Sequence, residues 1–267
     1  MIKMVKIFVN NKILKKIKKP ILIYSLGGGM GNVAKIVGKT IIKRYKAKKV
    51  AVIVSKAFPD VSFSNKEGIV FKQYLINLYY FKNKNKNFLV LYGDLQPGIL
   101  EDVGISLEDR YNLTFSILRM IKKLKADHIV SIGGLGLEIE PENPKVFIAS
   151  NLYFDKNKIT KKIKEKIENF VKNNVVGMSG LFVSLSNYYK IPAYILLVET
   201  YYSNQIYGYL GAAKILDLLS KIYNFEVNLD SLIEKGRKIR LEIQKMISER
   251  KVNLENLKDK KMPYYFG

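Results

Sequence analysis

The hydrophobic positions of the chain change spacing several times, and each change marks an element. Met1 to Val9 alternates loosely at period two. After the Asn10-Asn11 turn, Lys12 to Lys19 reads as a second edge strand whose lysines blunt an exposed edge. Ile21 to Leu26 is apolar throughout, as a strand covered on both faces is. Gly27-Gly28-Gly29-Met30-Gly31 follows, and Val33, Ile36, Val37 and Ile41 then recur at helical spacing. Lys49 to Val54 reads as the next strand, so the opening predicts a βαβ unit with a parallel pair.

The middle of the chain is β-rich. Ile69 to Phe81 and Phe88 to Tyr92, separated by the polar stretch Lys82 to Asn87, predict an antiparallel hairpin inserted into the sheet, which is therefore mixed. Ser106 is placed to cap a helix with Asp109 in its first turn and Ile117, Leu118, Ile121 and Leu124 as its apolar stripe. Strands are expected at His128–Ile132 and Lys145–Ala149, and a helix through Ile159, Ile163, Ile167 and Phe170. Ser179 is expected to cap a short apolar helix, and Ala193–Val198 to form a central strand. Tyr207 to Ile222 then carries Ala212, Ile215, Leu216, Leu219 and Ile222 on one helical face. After Asn228 or Asp230 as cap, Leu232, Gly236, Ile239, Ile243 and Met246 follow a 4-3-4-3 spacing that makes one narrow apolar seam. The expected division is an α/β core over 1–205, a helical part packed on it over 206–251, and a flexible tail over 252–267.

Composition narrows the chemistry. No cysteine is present, so disulfides, thiolate metal sites and cysteine nucleophiles are excluded, and there is one histidine. The apolar runs stay near strand length, far from the roughly 20 residues of a bilayer crossing, and the basic start carries no apolar export region. A cytoplasmic protein without a membrane partner is expected. The net charge of +23 invites a polyanion, but 40 of the 46 basic residues are lysines that recur on every predicted helix. That distribution fits a solvated lysine surface, and with no RNA-binding or zinc-finger pattern a nucleic-acid partner is not expected.

Candidate chemical motifs fail on their spacing. In the first glycine turn Asn32 stands where a dinucleotide fingerprint needs its third glycine, and Gly38-Lys39-Thr40 lacks the leading glycine of a P-loop because position 33 is valine. Gly177-Met178-Ser179-Gly180 is followed by Leu181, so no nucleophile elbow forms. His128 at a strand entrance reads as structural. Glu138, Glu140 and Glu142 would point to one side of an extended backbone, a candidate hard-cation site, but Pro141 and Pro144 favour an exposed acidic loop. Glu199 is expected to accept backbone hydrogen bonds at the carboxyl edge of the sheet. Neither a catalytic residue nor a cofactor is assigned.

Six segments in order carry a resemblance. They are Gly31-Asn32-Val33-Ala34, Leu91-Tyr92-Gly93-Asp94-Leu95-Gln96-Pro97, Ile132-Gly133-Gly134, Val175-Val176-Gly177-Met178-Ser179-Gly180-Leu181, Ile191-Pro192-Ala193 with Leu196-Leu197-Val198-Glu199-Thr200, and Ala212-Ala213 with Ile215-Leu216. Together they resemble the archaeal proteasome assembly chaperone family of the second type over about residues 20–250. Tyr207-Gly208-Tyr209-Leu210 departs from the Asp-Pro pair frequent there, and a Glu-rich loop follows Gly136. The resemblance implies a three-layer α/β/α fold with a mixed, mostly parallel sheet like that of nucleoside phosphorylases, plus C-terminal helices. It further implies a homo-oligomer without catalytic residues. Some members end in a hydrophobic-tyrosine-any tail that docks between proteasome α-subunits. Here that place holds Tyr265, Phe266 and Gly267, so the resemblance makes these the expected protein-binding residues, with the phenol hydroxyl missing at Phe266. The competing readings are a phosphorylase-like or ATP-dependent ligase enzyme and a basic nucleic-acid binder.

Overall fold

In the computed structural model the described residues are 5–97, 107–161, 163, 167–171 and 174–259. The first half contains β1 (Val5–Val9), α1 (Asn11–Leu14), β2 (Ile21–Leu26), α2 (Val33–Arg44), β3 (Lys48–Ser55), β4 (Ser62–Ser64), β5 (Val70–Gln73), β6 (Ile76–Asn83) and β7 (Lys86–Gly93). The second contains α3 (Leu107–Lys123), β8 (His128–Leu137), β9 (Val146–Ser150), α4 (Asn157–Thr160), β10 (Glu168–Asn169), α5 (Met178–Leu185), β11 (Ala193–Tyr201), α6 (Tyr209–Tyr223) and α7 (Asp230–Asp259).

Nine strands form one sheet in the order β1-β3-β6-β7-β2-β8-β11-β9-β10. The contacts β7–β2, β2–β8, β8–β11 and β9–β10 are parallel, whereas β1–β3, β3–β6, β6–β7 and β11–β9 are antiparallel. The sheet is thus mixed as expected, but the expected parallel majority is corrected: the parallel pairs are concentrated in the centre and the two kinds are equal in number, because the inserted β6–β7 hairpin and the strands at both sides pair antiparallel.

Strict alternation along the central strands feeds two cores, because successive side chains leave opposite faces. Ile21 and Ile23 of β2, Phe88 and Val90 of β7, and Tyr194, Leu196 and Val198 of β11 meet α2 and α6 on one face. Leu22 and Tyr24, Leu89 and Leu91, and Ala193, Ile195 and Leu197 meet α1, α3 and α5 on the other. This gives the three layers. On the first face the rings of Phe81, Phe88, Tyr223 and Phe225 pack at centroid distances of 5.0–5.7 Å.

The helix α7 lies along α6: a Cβ at Gly236 would come within 2.7 Å of Leu210 Cγ, so the missing side chain is what lets the helices approach. Arg240 Nε donates to the Glu140 carbonyl at 3.0 Å, and the Arg237 guanidinium pairs with Glu142 at 2.6 Å. Past Gly236 no described side chain of α7 is buried, and Leu241 and Met246 are largely exposed. The helix continues to Asp259, so the start of the tail expected from 252 is helical, and 260–267 lie outside the described residues.

Several expectations are corrected. Lys12 to Lys19 is not a strand. Leu14 N donates to Asn10 O and Ile17 N to Leu14 O, and this helical winding turns Leu14 and Ile17 inward together. The strands β2 and β3 point the same way but are not neighbours, because the β6–β7 hairpin lies between them. That hairpin turns at Lys84-Asn85, tighter than the polar stretch suggested. A single helix through Phe170 is absent from the described residues: Ile159, Ile163 and Ile167 join the first core while Phe170 packs on the second, which one helical stripe cannot do. Ser106 lies outside the described residues. Gly177, not Ser179, stands at the N-cap of α5, and Ser179 lies inside the helix.

Candidate functional site

The strands β7, β2, β8 and β11 end together at the carboxyl edge of the sheet, where four loops meet and four of the six motif segments converge with the Leu196–Thr200 part of the fifth, whose Ile191-Pro192-Ala193 part lies at the opposite edge. Backbone bonds interlock them. Gly27 N donates to Gly93 O at 2.9 Å, Gly31 N to Ser203 O at 3.0 Å, and Gly208 N to Gly31 O at 2.7 Å. Gly31 sits at φ +58, and a side chain there would collide with Thr200, so this crossing needs glycine on both counts. Gly134 lets the Met30 carbonyl approach β8, where a Cβ would stand 2.6 Å away. The side chain of Gln96 lies between Gly29 and Gly177, within 4.0 Å of where either Cβ would stand, and so brings the second motif against the first and the fourth.

Asn32, the residue that breaks the dinucleotide spacing, is buried and acts as a lock. Its Oδ1 accepts from Gly28 N at 2.7 Å, and its Nδ2 donates to the Asn204 carbonyl. With Asn32 N bonded to Gly29 O at 2.9 Å, four amides that a phosphate would need are already used inside the protein. The turn is built for close packing.

The acidic run resolves into three different fates. Glu138 is exposed, Glu142 pairs with Arg237, and Glu140 is fully buried. Glu140 Oε1 accepts from Thr200 Oγ1 at 2.9 Å and from Gly211 N at 2.9 Å, while Oε2 accepts from Leu210 N at 3.1 Å. Its carboxylate therefore fills the N-terminus of α6, where the free amides and the helix dipole favour an anion. Burial pushes its pKa up, and the three hydrogen bonds pull against that. The expected exposed loop is thus corrected at its central residue. The signal lay in the spacing to Thr200 and Gly211, across 60 residues and more, which no local pattern reports. Among the described residues no three His, Cys, Asp or Glu are grouped to hold a metal. Glu199 Oε2 accepts from Lys145 N at 2.9 Å, as expected of it.

Around this interlocked edge lies an aromatic and apolar surface. Met30, Leu137, Tyr202 and Tyr207 are exposed, and Tyr202 N donates to Leu137 O at 2.9 Å. Tyr79 packs edge-on to Tyr92 and Tyr207 stacks on Tyr209. Burial and the carboxylate of Asp94, which pairs with Lys35 at 3.2 Å, push the Tyr92 hydroxyl up to about 12. Burial and Glu140 do the same to Tyr201. Neither phenol is poised as a base near neutral pH.

His128 lies at the opposite edge. Its Nδ1 meets Asp127 at 2.7 Å, its Nε2 meets Tyr223 Oη at 2.6 Å, and Tyr223 Oη meets Tyr194 Oη at 2.7 Å. The sequence suggests a structural histidine but not this chain, which bonds His128 to Tyr223 across 95 residues. Burial drives the Tyr223 hydroxyl well above its ordinary pKa, so the chain ends in a poor nucleophile. The expected protein-binding residues Tyr265, Phe266 and Gly267 lie outside the described residues.

The PAC2 family model matches residues 28–247. Among solved structures the chain is similar to Pyrococcus furiosus PbaB, an archaeal proteasome activator, with 21% identity, 91% of this chain and 99% of that chain covered, and a TM-score of 0.78. It is also similar to Pyrococcus furiosus PbaA, an archaeal homolog of proteasome-assembly chaperone, at 16% identity, 96% of each chain and a TM-score of 0.67. A Mycobacterium tuberculosis proteasome-assembly chaperone homologue matches at 16% identity, 86% of this chain and 96% of that one, with a TM-score of 0.64. No curated protein matches the chain.

Proposed function

Because the chain belongs to the PAC2 family, we propose that it is a proteasome assembly chaperone-like protein. In this reading it binds core-particle α-subunits through its body and through the aromatic segment Tyr265-Phe266-Gly267, as a homo-oligomer in the cytoplasm. It needs no cofactor and carries out no catalysis. The observation that carries the reading is the convergence of the family's ordered motifs on one edge of a fold shared with an archaeal proteasome activator. The chemistry of that edge is consistent with it: its glycine-loop amides are spent on the protein itself, and what it offers outward is Met30, Leu137, Tyr202 and Tyr207. Such a surface suits contact with another protein. The placement of α7 agrees, since Arg240 bonds to Glu140 at this same edge and no described side chain of α7 past Gly236 is buried.

Two measurements separate the parts of this reading. Association with an α-ring from the same organism is measured for the full chain and for a chain lacking Tyr265, Phe266 and Gly267. The deletion is expected to weaken association sharply, and unchanged binding would remove the tail from the reading while leaving the body contact to be tested at Tyr202. Calorimetry with ATP, nucleosides and phosphate is expected to give no heat, and micromolar binding of any of them would favour an enzyme instead.

A further inference from the structure

The amino edge of the sheet, opposite the motif-bearing edge, carries a charge pattern that the sequence does not display. Seven non-glycine residues have positive φ among those described, and five of them are lysines: Lys19, Lys46, Lys84, Lys125 and Lys190. They immediately precede or lie next to the starts of β2, β3, β7, β8 and β11, all of which begin at this edge. Left-handed backbone favours Gly and Asn, and with 40 lysines in 267 residues composition alone would place about one among seven such positions. All five side chains are exposed. Three acids neighbour this edge: Asp127 pairs with His128 while also lying in the field of Lys19 and Lys86, Asp155 accepts from Asn157 N, and Glu226 pairs with Arg44.

At the β9–β11 end of the same edge apolar side chains stand in water on hydrogen-bonded loops. Leu152 is 90% exposed and Tyr188 is 78% exposed, although both belong to pinned loops. The pin is buried Asn151, whose Nδ2 donates to Ser186 Oγ at 2.9 Å and Ile191 O at 2.8 Å, and whose Oδ1 accepts from Ala193 N at 3.1 Å. Leu152 N in turn donates to Asn187 Oδ1 at 3.2 Å, which ties the two loops together. A fixed leucine and tyrosine next to a basic rim have the composition of an interface anchor and its surround.

We propose that the amino edge is a docking surface for an acidic protein partner, with Leu152 and Tyr188 as apolar anchors and the five turn lysines as its charged rim. Phe81, Phe88, Tyr223 and Phe225 at this edge are spent in the core, and the exposed rings Tyr153 and Tyr188 sit together at the β9–β11 end and do not run along the lysines, which argues against a stacking track for single-stranded nucleic acid. Two side chains offer little area for insertion into a bilayer but fill a protein pocket well. A two-fold contact between copies would set lysines against lysines. The surface faces away from the edge that α7 crosses, so it is separate from the contacts proposed above.

The test uses the full chain and a fluorescent glutamate-rich peptide bearing leucines, with single-stranded RNA and phosphatidylserine vesicles as comparisons. The peptide is expected to bind tightest, and the double variant Leu152→Ser/Tyr188→Ser to bind it about tenfold more weakly at unchanged charge. The triple variant Lys84→Glu/Lys125→Glu/Lys190→Glu is expected to lose about tenfold or more. The matched triple variant Lys235→Glu/Lys238→Glu/Lys245→Glu on α7 is expected to stay within about twofold, since it lies off the surface. All of these side chains are solvent-facing and Asn151 is untouched, so melting temperature serves as the control for folding. Tighter binding to RNA or vesicles, equal losses in the two triple variants, or indifference to Leu152 and Tyr188 would each overturn the proposal.

Discussion

Replacing Glu140 by alanine withdraws the acceptor from three donors at once: Thr200 Oγ1, Leu210 N and Gly211 N. All three lie in a buried site, and an unsatisfied buried donor costs about 1–3 kcal/mol. Relief of the buried charge and entry of water offset part of that, so a net loss of about 3 kcal/mol is expected for Glu140→Ala. For a chain of this size each kcal/mol lowers the melting temperature by about 2–4 °C, which places the drop near 6–12 °C. Glu140→Gln keeps an oxygen for Thr200 and Gly211 but turns its amide toward the Leu210 N–H, so about half the loss is expected. The pH profile adds an independent readout. Burial holds the folded pKa of Glu140 above its ordinary 4.5, so the unfolded chain gives up this proton first as pH rises. The contribution is fully present below 4.5 and is lost as pH rises through the folded value, and Glu140→Gln should remove that slope. Differential scanning calorimetry across this range measures both. If Glu140→Ala melts within about 2 °C of the parent, the amides of α6 are satisfied some other way and Glu140 is not what closes the helix onto the sheet.

Phe225→Ala should cost about 3–5 kcal/mol in chemical denaturation, because the ring packs on Tyr45, Phe81, Phe88 and Tyr223. Tyr223→Phe should cost about 1–3 kcal/mol, since it strips the shared partner from His128 Nε2 and Tyr194 Oη; an unchanged denaturation midpoint would mean that water replaces the hydroxyl. Gly236→Val should lift α7 from Leu210, seen as faster amide exchange in 230–240 with the sheet unaffected.

The parts of this molecule that follow a local period were legible. β2, the turn and α2, the β6–β7 hairpin, α3, β11, α6 and α7 all came from spacing alone, the helices because each carries an apolar stripe and β2 and β11 because both of their faces are covered. The failures were places where a longer-range contact overrides the local pattern. Lys12 to Lys19 offered equal numbers of lysines to a strand or a helix, and only the need to bury both Leu14 and Ile17 decided between them. Ile159 to Phe170 looked like one stripe, yet its apolar residues serve opposite faces of the sheet. Strand adjacency was misread because nothing local says that a later hairpin will wedge between β2 and β3. Glu140 reads as exposed from its local sequence because its three donors are encoded far downstream. The motif convergence at the carboxyl edge was legible only as an ordered list, and the lysine edge not at all, since turn lysines are scattered along the chain and meet only through topology.

Asn32, the departure from a phosphate-binding pattern, had the opposite use from the one its neighbourhood suggested: it turned would-be ligand amides into internal fasteners. A comparable point of mechanics attaches to α7. At 1.5 Å per residue its 30 residues extend about 45 Å, and among the described side chains Arg240 is the last that bonds to the body. The stretch beyond Arg240 spans nearly 30 Å, and as a helix it bends far less than a disordered tether of equal length. Whatever is joined to its far end is aimed by the body rather than left to diffuse around it. Rotating the braced portion by a few degrees would sweep that end through several ångströms, so small repacking at Leu210 and Gly236 translates into large displacement at the tip.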